Sequence, residues 1–176
     1  MARVLIVGGG CRGRELARVL RDEEHAVRVT TRAPERRAAI ERTGAQCWLG
    51  DPDRIATLRY ALENVTVVCW MLGTASGTPA AVAALHSSRL RFMLGQVIDT
   101  TVRGFLYEAA GSVASMQLQE GAATVARVAL GNAIPYRVLD VDPARRAQWL
   151  AAARAGVDEL LEPSAPSTPA TPSASF

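Results

Sequence analysis

The stretch VLIVGGGCRGREL, Val4–Leu16, decides the fold. Val4, Leu5, Ile6 and Val7 form an apolar, largely β-branched run of the kind that makes a buried strand. The run ends in three consecutive glycines, and Gly13 follows them, so Gly8, Gly10 and Gly13 fit the spacing G-x-G-x-x-G. Beyond the glycines, Gly13, Leu16, Ala17 and Leu20 recur at helical spacing. A glycine cluster alone also makes ordinary turns. Standing between a strand and a helix, it becomes a phosphate-binding turn: the first glycine permits the bend, the second admits the ligand's backbone approach, and the third lets helix and strand pack. The helix N-terminus then faces the phosphates.

Working outward, apolar runs alternate with helical-period segments. The expected strands are Arg3–Val7, Val27–Thr31, Ala45–Leu49, Val65–Met71, Gly104–Tyr107 and Pro135–Val141. Between them, Ile55, Leu58 and Leu62 share a helical face, as do Leu90, Met93, Leu94, Val97, Ile98 and Thr101. Leu118, Ala122, Val125 and Ala129 mark a helix before the last strand, and Leu150, Ala153, Val157 and Leu160 mark one after it. Thr78-Pro79 and Asp142-Pro143 read as helix caps followed by a first-turn proline. Strands joined by helical crossovers predict an α/β fold: a doubly wound parallel sheet of the Rossmann type, with about six strands and helices on both faces. The domain spans residues 1–162. The remaining PSAPSTPATPSASF, Pro163–Phe176, has no charge and too little apolar content for a core, and reads as a disordered tail.

Composition narrows the function. With 176 residues, 49% of them hydrophobic and 21% charged, the chain suits one globular domain. No apolar run approaches the roughly 20 residues of a membrane span. A strand beginning at Arg3 leaves no room for a leader, and the odd cysteine count (Cys11, Cys47, Cys69) suits a reducing cytoplasm. His25 and His86 show no ligand spacing, so no metal is expected. The net charge of +3 comes from scattered arginines without a basic block, so no nucleic-acid partner is expected. All 20 basic residues are arginine, so no lysine is available for catalysis.

The second strand ends in VRVTTR. An NAD site places an acidic residue there for the ribose 2′-hydroxyl, whereas here Thr31 and Arg32 stand. Arg32 suits a 2′-phosphate and favours NADP(H) over NAD(H), unless it is simply a solvated surface residue. Arg12, inside the glycine loop, adds a second positive charge. Cys11, at the helix start beside Arg12, is either a thiol activated by the helix dipole or a packed, inert loop residue.

VLIVGGGCRGREL, VTTR, GDPDRIATLRYALENVTVVCWMLG and RGFLYEAAG together resemble the atypical and extended short-chain dehydrogenase/reductases, including NmrA-like and epimerase/dehydratase-like members. The resemblance runs from about Arg3 to Val141. It implies a dinucleotide ligand, with Asp51 beside the adenine and Leu72 and Gly73 lining the nicotinamide-side ribose. Asp51 also reads as a turn residue ahead of Pro52, and Gly73 as a turn glycine. The family's active members use a Tyr-x-x-x-Lys pair and a serine after the fifth strand, and none of these is matched. Tyr107 and Glu108 are the substitutes nearest a strand's carboxyl end, but they read more readily as a packed tyrosine and a carboxylate meeting an arginine. Extended relatives complete a substrate pocket from C-terminal additions, which the short stretch after the sixth strand does not match.

Three functions remain: an NADP(H)-binding regulatory or cofactor-sensing protein, an oxidoreductase with non-standard acid/base groups or a pocket completed by a second subunit, and a Rossmann module with a vestigial site. A protein partner or a homodimer would fit the stripe along Ser88–Thr101, which otherwise covers the sheet.

Overall fold

Parallel strands buried on both faces read as nearly continuous apolar runs, and the helices between them must supply both covering layers. In the computed structural model, which describes residues 1–162, the strands are β1 (Arg3–Val7), β2 (Ala26–Thr31), β3 (Gln46–Leu49), β4 (Val67–Trp70), β5 (Gly104–Glu108) and β6 (Tyr136–Leu139). They form one six-stranded sheet in the order β3-β2-β1-β4-β5-β6, with every pair parallel. The doubly wound parallel sheet is therefore the observed fold. The tail expected at Pro163–Phe176 lies outside the described residues.

The helices are α1 (Cys11–Asp22), α2 (Arg37–Glu41), α3 (Pro79–Leu85), α4 (Ser88–Ile98), α5 (Ser115–Gly131) and α6 (Arg146–Leu161). Alternate residues of β1 sort onto the two faces. Val4 and Ile6 pack with Leu16 and Leu20 of α1 and with Trp149, Ala153 and Val157 of α6. Leu5 and Val7 pack with the segment Ile55–Leu62, with α4 and with Val125 of α5. Each fully buried Val, Leu, Ile, Phe or Met stabilises the fold by about 1.5–3 kcal/mol, so these two layers hold the sheet.

Several elements differ from the sequence-based expectation. Val65 and Met71 are buried but lie outside β4, although the Met71 N–H still donates to the Val7 carbonyl at 2.9 Å, because apolar patterning reports burial and not strand ends. Ile55–Leu62 is a 3₁₀ helix burying Ile55, Leu58, Ala61 and Leu62, where a spacing of three matches three residues per turn. Thr78 caps α3, its Oγ1 accepting from the Ala81 N–H at 3.3 Å. Asp142 does not cap α6: its Oδ1 accepts from the Ala144 N–H at 2.8 Å in a turn, and the helix starts at Arg146. In α4, Leu90, Met93, Leu94 and Val97 enter the core, so this stripe covers the sheet, while Ile98 is exposed and Thr101 falls past the helix end.

Candidate functional site

β1 and β4 are neighbours, yet the chain leaves β1 toward β2 and β4 toward β5. The connections diverge at the carboxyl ends, where ligands bind in such sheets. A groove of about 450 Å³ opens there. The start of α1 borders it through Gly8, Gly10, Cys11, Arg12 and Gly13. Thr31 and Arg32 border it from the end of β2, and Leu72 from the end of β4.

The glycines have distinct reasons. Gly8 has φ +126°, and a Cβ there would stand 2.4 Å from the Met71 carbonyl oxygen. A Cβ on Gly13 would stand 2.0 Å from the Gly8 carbonyl oxygen, so this glycine packs the helix onto the strand. A Cβ on Gly10 would meet nothing within 4 Å; its side faces open space. The α1 hydrogen-bond ladder opens with the Arg14 N–H donating to the Gly10 carbonyl at 3.1 Å, leaving the earlier N–H groups without a helical acceptor. Unpaired N–H groups and the helix dipole together favour negative charge at this end. Cys11 is exposed there, and Arg14 donates to its Sγ at 3.4 Å.

Arg32 is exposed beside Thr31, whose Oγ1 accepts from the Ala33 N–H at 3.1 Å. Its companion is Arg36, which the sequence reading did not single out. The 3₁₀ turn Pro34–Arg36 carries Arg36 back to the groove, and Pro34 was the available signal. Arg12 does not join them. It turns across β1 toward β4 and β5, where its Nη2 donates to Thr74 Oγ1 at 2.6 Å and to Glu108 Oε1 at 3.4 Å. Its guanidinium lies 5.3 Å from the Trp149 ring centroid. Thr74 and Trp149 also went unnoticed in the sequence; Trp149 arrives from α6, and no local pattern announces that.

Glu108 is fully buried at the end of β5. Oε2 accepts from the Gly73 N–H at 2.7 Å, and Oε1 accepts from Trp149 Nε1 at 2.9 Å as well as from Arg12. Burial pushes its carboxyl above the ordinary carboxylate range, opposed by the Arg12 charge and these N–H donors. Tyr107 is also fully buried, and its hydroxyl lies 2.7 Å from His86 Nδ1. His86 Nε2 lies 3.2 Å from the Leu72 carbonyl, which can only accept; Nδ1 is then the acceptor for the tyrosine hydroxyl. Burial, with the Glu108 charge, raises the Tyr107 phenol above its ordinary value. Both candidate substitutes are thus spent on the interior.

Two expected site residues stand outside the groove. Asp51 borders a smaller adjoining hollow with Arg32 and Pro52, and its Oδ1 accepts from the Asp53 N–H at 2.9 Å. Gly73 packs on the segment after β5, since a Cβ there would stand 2.2 Å from the Ala110 carbonyl oxygen. Elsewhere, ligand atoms of Glu23, His25 and Asp158 lie within 4.8 Å of one another, and Arg154 pairs with both carboxylates, supplying the positive charge itself. No helix among the described residues is long and apolar enough to cross a membrane.

No protein-family model matches this chain, and no curated protein is significantly similar in sequence. Solved structures do match. A UDP-glucose 4-epimerase from Thermotoga maritima, solved with UDP-glucose, superposes with a TM-score of 0.66 at 14% identity, over 77% of this chain and 54% of its own. Vestitone reductase from alfalfa gives 0.64 at 16% identity, over 78% and 56%. A short-chain dehydrogenase/reductase superfamily protein from Agrobacterium tumefaciens, with bound NAD, gives 0.64 at 17% identity, over 89% and 61%. The chain therefore spans little more than half of each of these proteins. At such identities the likeness establishes the fold, which is Rossmann-type.

Proposed function

We propose that the groove binds a dinucleotide, NADP(H) in preference to NAD(H), and that the protein is a cofactor-sensing or regulatory binder. One observation carries the reading: among the described residues, the side chains bordering the groove include three arginines, Arg12, Arg32 and Arg36, and no carboxylate. Together with the open α1 N-terminus, that arrangement favours a polyanion. The resemblance to atypical short-chain dehydrogenases supports a dinucleotide ligand, as does the likeness in fold to solved structures that hold NAD or UDP-glucose. Titration calorimetry of the purified protein with NADPH and NADH tests it, with NADPH expected to bind more tightly. Absence of binding by either would leave a Rossmann module with a vestigial site.

The regulatory part rests on what α5 lacks. Its sequence, SMQLQEGAATVARVALG, has no tyrosine and no lysine, and Tyr107 and Glu108 are committed to the core. A phenol held above its ordinary value is a poor base at neutral pH. No steady NADPH oxidation is expected across a panel of carbonyl compounds. Turnover lost in Tyr107→Phe would instead favour the alternative, an NADP-dependent oxidoreductase with non-standard acid/base groups.

A further inference from the structure

We propose that the β4–β5 side of the groove binds a small monocarboxylate beside the dinucleotide, with Arg12 as the residue that takes its anionic group. This rests on the dinucleotide reading above. Both bonds that Arg12 makes to described residues leave from Nη2. Its Nε is buried and has no partner among the described residues. A guanidinium offers five N–H donors in a fixed fork, and folded proteins rarely leave buried donors unmatched. The Arg12 side chain is 25% exposed and borders the groove, so Nη1, which bonds to no described residue, is the donor left for whatever occupies that end.

Position separates this cation from the others. Arg32 and Arg36 follow β2, whereas Thr74 and Glu108, which hold Arg12, follow β4 and end β5 on the opposite side of β1. The glycine loop, where the diphosphate would sit, lies between them. Thr74, Glu108 and the Trp149 ring also fix the guanidinium in advance, which lowers the ordering needed to engage an anion.

Charge selects the ligand class. Glu108 is buried 3.4 Å from Arg12 and balances much of its positive charge. A single negative charge tolerates that neighbour better than a phosphate dianion does. The Thr74 hydroxyl, which accepts from Arg12, borders the same groove.

The test uses pyruvate and pyruvamide, which have the same shape and differ in charge. The protein is first titrated with NADPH, and failure there removes the dinucleotide reading alone. Pyruvate, pyruvamide and inorganic phosphate are then titrated with and without saturating NADPH. The expected result is pyruvate binding at least tenfold tighter than either of the others. In Arg12→Gln that preference should vanish, with a larger fold loss for pyruvate than for NADPH. Arg12→Lys, which keeps the charge without the fork, should retain a reduced preference. Equal binding of pyruvate and pyruvamide, tighter binding of phosphate, or a larger loss for NADPH than for pyruvate in Arg12→Gln would each overturn the proposal. The unmodified protein decides the first two points whatever the variants' stability.

Discussion

Arg32 and Arg36 flank the end of β2, where an acidic residue would repel a 2′-phosphate. Reversing that charge is the sharpest residue-scale test. Arg32→Asp should abolish or invert the preference for NADPH over NADH, a charge-assisted contact being worth about 1.5–3 kcal/mol. Paired calorimetric titrations measure it, and equal affinities in the unmodified protein would remove its basis. A second test concerns His86. Burial holds its pKa below the ordinary 6.5, so the folded protein keeps it neutral where the unfolded chain takes up a proton. Its contribution to stability is complete above about pH 6.5 and is lost as the pH falls below that value. The melting temperature should therefore drop on acidification from about pH 7.5 to 5.5 by more in the unmodified protein than in His86→Gln. The comparison isolates His86 from Glu108, whose raised pKa acts with the opposite sign.

Among the elements, two helical glycines look alike in sequence and differ in the fold. A Cβ on Gly95, within α4, would meet nothing within 4 Å. Gly95→Ala should stabilise the protein by about 0.5–1 kcal/mol, because alanine loses less backbone freedom on folding. A Cβ on Gly121, within α5, would stand 2.0 Å from the Tyr107 hydroxyl, so this helix lies against β5 only because the side chain is missing. Gly121→Ala should destabilise by about 1–3 kcal/mol through overpacking. Urea unfolding of both variants gives the two signs; a matching sign would mean that α5 shifts without penalty. The elements themselves were legible, since Leu16, Ala17 and Leu20 or Leu90, Met93, Leu94 and Val97 repeat with helical period. Their ends were less so: Asp142 has the chemistry of a cap but spends it on a turn before α6.

Across the whole molecule, Glu108 ties the loop after β4, the start of α1 and the start of α6 through Gly73, Arg12 and Trp149. Glu108→Ala would leave the Gly73 and Trp149 N–H donors without their acceptor and Arg12 without its counter-charge. Stability should fall by about 3–5 kcal/mol, the range for breaking a buried charged pair. A loss below about 1 kcal/mol in urea unfolding would show that water takes over these donors. The same cluster marks the boundary of what sequence alone determines. Val4–Gly13 declares a strand, a turn and a helix, because φ preference, burial period and glycine spacing are local properties. Alternation of such units then dictates a parallel sheet, since parallel neighbours need crossovers. Which side chains meet at the groove is not local. Arg12 turns away from Arg32, Arg36 curls back to replace it, and Trp149 comes from the far end of the domain to close on Glu108. Only the strand order, which places β4 and β5 on one side of β1 and β2 on the other, decides those meetings, because packing joins residues by distance in space and not along the chain.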